Sequence, residues 1–124
     1  MQNYRQLTVW QKSHAIAVQI HNLTTSISRT GNAGLVSQMR RAALSIPANI
    51  VEGSSRAGDR DFAKFLQIAI GSASELEYHL HFAESVQLIS TAACADRQRE
   101  IVEVRRMLIA LLKKLRTAER MTAK

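Results

Sequence analysis

Apolar residues recur at every third or fourth position through four long stretches of this chain, separated by short polar breaks. A 3.6-residue period kept over twenty or more residues fits an amphipathic helix and no strand. The first stretch runs from about Thr8 to Ser28. At 100° per residue it gathers Val9, Trp10, Ile16, Ala17, Ile20, Leu23 and Ile27 on one face, and Arg29-Thr30-Gly31-Asn32 interrupts it. The second, about Ala33 to Ser54, repeats Leu35, Met39, Ala42, Ala43, Ile46, Ile50 and Gly53. Pro47 falls inside it, and because the pattern resumes in phase at Ile50 a kink is expected instead of a break. The third opens at Asp59, a favourable N-cap, and extends to about Ile89 on Phe62, Phe65, Leu66, Ala69, Ala73, Leu76, Leu80 and Ala83. The fourth, about Cys94 to Ala118, carries Ile101, Val104, Leu108, Leu111, Leu112 and Leu115.

Four amphipathic helices with short joints predict one all-α domain spanning residues 1–124, an up-down-up-down four-helix bundle. Composition agrees: 46% of residues are hydrophobic, 5% aromatic, and the chain holds one proline and five glycines, too few turn-formers for a β-sandwich. The third segment has more apolar surface than one neighbour needs. Ile68, Gly71, Tyr78 and Phe82 cluster opposite its main face, which calls for a second neighbour, either the fourth helix or another subunit. The N-terminal Met1-Gln2-Asn3-Tyr4-Arg5 precedes no apolar signal region, and no apolar run approaches a membrane span. With Cys94 the only cysteine, a cytoplasmic setting is expected, and the thiol is expected to act as a small hydrophobe.

Charge is distributed unevenly. The formal net charge is +7, and the stretch from Arg97 to Lys124 holds nine Lys and Arg against three Glu. On a helical wheel Arg99, Arg105, Arg106, Lys113, Arg116, Arg120 and Lys124 occupy about one third of the circumference, with Glu100 and Glu103 on the other flank. A one-sided basic ridge of this kind is the footprint expected for phosphate-backbone contact. It is equally what a solvated helix end favours through the dipole and through Lys and Arg stems lying on apolar surface. Arg56, Arg60 and Lys64 form a smaller cluster, diluted by Asp59 and Asp61.

Catalytic motifs are missing. Di-iron bundles need Glu-x-x-His, but Leu76 precedes His79 by three and Tyr78 precedes His81 by three. Glu75 with His79 and Glu77 with His81 are four apart, a spacing for surface pairs. His14 and His21 share an edge without a carboxylate beside them, and there is no phosphate loop or Gly-x-Ser-x-Gly elbow. The expectation is a protein that is not an enzyme and needs no metal or cofactor.

The block Arg40-Arg41-Ala42-Ala43-Leu44-Ser45-Ile46-Pro47-Ala48-Asn49-Ile50-Val51-Glu52-Gly53 resembles the signature of the four-helix-bundle proteins encoded in 23S rRNA intervening sequences. Leu7-Thr8-Val9-Trp10-Gln11-Lys12 resembles the opening of that family, and Phe62 to Leu76 its third helix; the likeness covers roughly Tyr4 to Ile89. The resemblance implies a bacterial protein that assembles into a ring-like homopentamer. It also implies kinship with the accessory variability protein of diversity-generating retroelements, a basic pentamer that engages a reverse transcriptase and nucleic acid.

Within the signature, Arg41, Ser45, Asn49 and Glu52 follow one another at three- and four-residue steps and line one helix face. A polar row inside a bundle must be hydrogen-bonded. It is expected to meet Ser72 and Glu75 of the third helix, with Gly71 permitting close approach, and to fix helix register or subunit pairing in preference to binding a ligand. The chain thus reads as a basic oligomeric binding module for RNA, DNA or a nucleic-acid enzyme such as a reverse transcriptase. The alternative is a structural homo-oligomer with no nucleic-acid role, its contact formed by Ile68, Gly71, Tyr78 and Phe82.

Overall fold

The computed structural model describes residues 3–56 and 58–122, and it contains a 3₁₀ turn, Tyr4–Gln6, followed by four helices: α1 (Thr8–Ser28), α2 (Ala33–Ser54), α3 (Asp59–Ser85) and α4 (Thr91–Thr122). Helices adjacent in the chain pack on one another, α1 closes the ring of contacts against α4, and the diagonal pairs stay apart. Successive helices run antiparallel: Arg40 of α2 bonds Thr24 of α1, Ser45 of α2 bonds Ser72 of α3, and Gln98 of α4 reaches Glu77 of α3. The architecture is therefore the expected all-α up-down-up-down bundle, and among the described residues no helix is long and apolar enough to cross a membrane.

The buried set follows the 3.6-residue pattern. Ile20, Met39, Ile46, Ile50, Leu66, Leu76, Leu80, Ile101 and Leu108 are fully enclosed, and Trp10, Ala17, Leu23 and Leu35 lie half-buried at the margin. Two core positions on α1 are polar, Ser13 and Thr24. Ser13 donates to the Trp10 carbonyl at 3.0 Å and Thr24 to the Ile20 carbonyl at 2.7 Å, so neither leaves an unmet donor inside. Thr24 Oγ1 also accepts from Arg40 Nε at 2.7 Å, which ties α2 to α1. Helix α2 continues unbroken through the buried Pro47.

The α3–α4 corner departs from the sequence reading, which carried the third helix to Ile89 and began the fourth at Cys94. Helix α3 stops at Ser85 because Gln87 adopts a left-handed conformation, φ 64°. Leu88 N–H then donates to the Ala83 carbonyl at 2.8 Å and Gln87 N–H to the Glu84 carbonyl at 2.9 Å, the paired bonds of a Schellman end. Ser90 caps the next helix through its Oγ, which accepts from Ala93 N–H at 3.0 Å, so α4 starts three residues earlier than expected. It also runs past Ala118 to Thr122, making it the longest of the four at 32 residues.

Helices α2 and α3 approach closely at Gly53. A Cβ placed there would lie 2.8 Å from Phe62 Cδ1 and 2.9 Å from Phe65 Cβ, distances no folded side chain tolerates without displacement. The close approach that the sequence reading assigned to Gly71 is thus made by Gly53. Gly71 is exposed, and a Cβ on it would meet nothing within 4 Å.

Candidate nucleic-acid interface

Helix α4 turns one seam inward and the opposite face to solvent. Ile101, Val104, Leu108 and Leu112 fill the core, while Arg99, Arg106, Lys113, Arg116 and Arg120 are exposed. Arg99 is held by Asp96 one turn earlier, at 2.7 Å. Arg106, Lys113, Arg116 and Arg120 have no ion pair among the described residues, so their charge stands open to solvent.

Arg105 is a correction to the ridge. It is half-buried against α3 and spans both carboxylate oxygens of Glu77, with Nη1 to Oε1 at 3.1 Å and Nη2 to Oε2 at 3.5 Å. One residue is about 100° of rotation, enough to carry Arg105 into the α3–α4 seam while Arg106 stays outside. The same contact occupies Glu77, so the surface pair expected between Glu77 and His81 does not form. Lys124 lies outside the described residues.

Antiparallel packing adds a feature that was not legible from α4 alone. It brings the start of α3 beside the end of α4, where Arg60, Lys64 and Gln67 share an open groove with Arg116. Two basic clusters about fifty residues apart in sequence thereby become one cationic end of the bundle. Asp61 and Glu119 also line the groove and moderate its charge. Arg56, the third member of the smaller cluster, is turned elsewhere: it pairs with Glu52 at 2.5 Å and lies over the Phe65 ring.

The polar row of α2 lies on the outer α2–α3 seam and not inside the core, with Arg41, Glu52 and Glu75 exposed and Ser45, Asn49 and Ser72 half-buried. Ser45 Oγ and Ser72 Oγ share a hydrogen bond at 2.8 Å, and Arg41 Nη2 approaches Glu75 Oε1 at 3.8 Å, so both expected partners on α3 are met. Asn49 does not cross to α3. Its Nδ2 donates to the Ser45 carbonyl at 2.8 Å and to Ser45 Oγ at 2.9 Å. Glu52 likewise turns along its own helix to Arg56. One hydrogen bond, Ser45 to Ser72, and one ion pair, Arg41 to Glu75, thus cross the α2–α3 seam from this row.

Exposed apolar side chains lie on the outward side of α3, with Ile68 at 46%, Tyr78 at 61% and Phe82 at 42% exposure. A second apolar area, Val18 and Leu44, borders a shallow groove between α1 and α2 beside His14, His21 and Arg40. His14 stacks on Trp10 with ring centroids 5.1 Å apart. Among the described residues no group of three or more His, Cys, Asp or Glu could hold a metal ion. Cys94 is buried, and burial, reinforced by the Glu84 carboxylate, pushes its thiol above the ordinary range. Its Sγ donates to the Leu80 carbonyl at 3.6 Å, an arrangement that holds the thiol protonated.

Residues 5–110 match the model of the family described as 23S rRNA-intervening sequence protein. No curated protein matches the chain. Among solved structures, a protein of unknown function from the S23 ribosomal protein family of Bacteroides thetaiotaomicron superposes with a TM-score of 0.81 at 28% identity, covering 86% of this chain and 99% of that one. The family match ends at residue 110, so the cationic cluster from Lys113 onward lies beyond it.

Proposed function

Since the chain belongs to the 23S rRNA-intervening sequence protein family, we propose that it is a non-enzymatic binding module of the bacterial cytoplasm that grips a nucleic-acid backbone with the cationic end of its bundle. The observation that carries this reading is the meeting of Arg60 and Lys64 with Arg116, continued by Lys113 and Arg120 along α4, none of them in an ion pair among the described residues. Unpaired cations that present no base-reading side chains neutralise phosphates, so affinity tracks backbone charge and not sequence. Engaging four or five phosphates gives a slope of about −4 in log affinity against log salt, measured by oligonucleotide titration between low and physiological ionic strength. A flat salt dependence overturns the proposal.

The exposed face of α3 supports a second, compatible element: self-association through Ile68, Gly71, Tyr78 and Phe82. Contiguous apolar surface of this kind marks an interaction site. A homopentameric ring, as the family resemblance implies, would repeat the cationic end around its circumference and strengthen polyanion binding by multivalency. Kinship with the retroelement accessory protein belongs to the same proposal, with a reverse-transcriptase-like enzyme as the accompanying partner. Light scattering of wild type against Phe82→Glu tests the contact. A monomeric wild type removes it and leaves a purely monomeric binder. An oligomer with no salt-dependent binding favours the structural homo-oligomer instead.

A further inference from the structure

We propose that the groove between α1 and α2, on the side of the bundle opposite the α3–α4 pair, is a binding site for a small monocarboxylate with an apolar body. Ala17 and Val18 of α1 and Leu44 of α2 line it with hydrocarbon, and His14, His21 and Arg40 supply its polar groups. Val18 is 48% exposed and Leu44 64%. Single aliphatic side chains on a surface are ordinary, but these two border one hollow beside a fixed cation.

The cation names the charge of the guest. Arg40 Nε donates to Thr24 Oγ1 at 2.7 Å, and Nη2 donates to the His21 carbonyl and to Thr25 Oγ1, both at 3.2 Å. All three acceptors are neutral, and Arg40 forms no ion pair among the described residues, so its charge is held in place without being cancelled. Its Nη1 makes no hydrogen bond among the described residues, which leaves donors for a guest. No Asp or Glu lines the groove. An arginine immobilised in this way gives up little further freedom when it takes an anion, and a single guanidinium matches a single carboxylate.

The rest of the groove sets the body of the guest. His21 marks the Arg40 end, since its carbonyl accepts one of the arginine bonds, and His14 stands two turns earlier on α1, about 10.5 Å away along the axis. The His14 ring is itself held, stacked on Trp10. Between the two imidazoles, Ala17, Val18 and Leu44 offer contact to hydrocarbon and nothing to a second charge. The groove holds about 220 Å³, the space of about seven waters, which suits one ring or a short branched chain. A phosphate backbone gains nothing from this lining. Two copies meeting groove to groove would set Arg40 against Arg40. The outward face of α3 in a second copy offers Glu75, which His79 and Arg41 already hold, in place of an open carboxylate.

The inference is independent of the nucleic-acid and self-association readings. The probe is phenylbutyrate, titrated into the full chain at neutral pH and followed through the imidazole proton signals by NMR. Of the four histidines, His14 and His21 border the groove, and His79 and His81 on α3 serve as internal controls. The expected result is a saturable shift of His14 and His21 in the low-millimolar range with His79 and His81 unmoved. Phenylbutanol, the same body without the charge, binds about tenfold or more weakly, and so does propionate, the charge without the body. Leu44→Asp, at an exposed position, sets an acid in the groove, weakens phenylbutyrate about tenfold or more and strengthens phenylbutylamine. Arg40→Gln reduces the acid to the level of the alcohol; because Arg40 also ties α2 to α1 through Thr24, thermal melts accompany it, and Leu44→Asp decides the matter if the bundle is weakened. Equal binding of acid and alcohol, no saturable shift of His14 and His21, or unchanged affinity in Leu44→Asp overturns the proposal. A wild-type oligomer that dissociates in Leu44→Asp, read by light scattering, also overturns it and assigns the groove to a contact between copies.

Discussion

The α2–α3 seam and the outer face of α4 are built on opposite principles. Along the seam the polar side chains find near neighbours: Ser45 with Ser72, Asn49 with Ser45, Glu75 with His79 and, at longer range, Arg41. Gly53 lets the two backbones close beneath them. On α4 the cations from Arg106 to Arg120 are left open. The first surface engages its polar side chains within the fold. The second is unsatisfied and costs the fold little, since exposed charges contribute little to stability, which leaves it available for binding.

Four experiments press on this contrast. The largest effect belongs to the open face. Replacing Lys113, Arg116 and Arg120 together with Gln reduces oligonucleotide affinity about 100-fold at low salt, and changes unfolding free energy by less than about 0.5 kcal/mol. A large loss of stability would show that these residues serve the bundle. Next is Gly53→Ala, which destabilises by about 1–2 kcal/mol in urea titration, since overpacking against Phe62 and Phe65 outweighs the helix-propensity gain of alanine. Gly71→Ala, with open space around it, is neutral or slightly stabilising in the same assay. Ser45→Ala then costs about 1 kcal/mol because Ser72 and Asn49 both lose a partner, whereas Glu52→Ala, which breaks only an exposed pair along its own helix, stays within about 0.5 kcal/mol. Equal costs at the two positions would mean that Glu52 has a structural duty beyond Arg56.

The smallest effect concerns the inner side of α4. Cys94 has its thiol pKa raised in the folded state, so folding favours the protonated form. That contribution is complete below the ordinary thiol value of 9.0 and declines as pH rises past it, because the unfolded chain ionises first. Wild type therefore loses slightly more stability than Cys94→Ala between neutral pH and pH values of about 10. Parallel pH profiles would show that the thiol is not held protonated by the core.

The helices and their buried faces were legible in the sequence because burial repeats with the helical period, and Leu66, Leu76 and Leu80 announce their face without any knowledge of neighbours. Partnerships across helices were less so. Whether Arg105 or Arg106 turns to α3 depends on register against Glu77, 28 residues away, and a wheel drawn for one helix does not contain it. Gly53 and Gly71 look alike in sequence, and only the separation of α2 from α3 tells them apart. The union of Arg60 and Lys64 with Arg116 likewise follows from antiparallel packing. The end of α3 was misplaced because Gln87 adopts a backbone conformation usually left to glycine or asparagine, although Ser90 was present as a start signal for α4.

The crossing at Gly53 limits how the chain is free to drift. One of the two atoms a new side chain would strike is the Cβ of Phe65, which every amino acid but glycine carries. Trimming the aromatic ring at 65 cannot make room, and neither can a change at 62 alone. Position 53 is therefore held by the spacing of two backbones and not by the identity of the side chains opposite, and a substitution becomes admissible only after the helices have first moved apart.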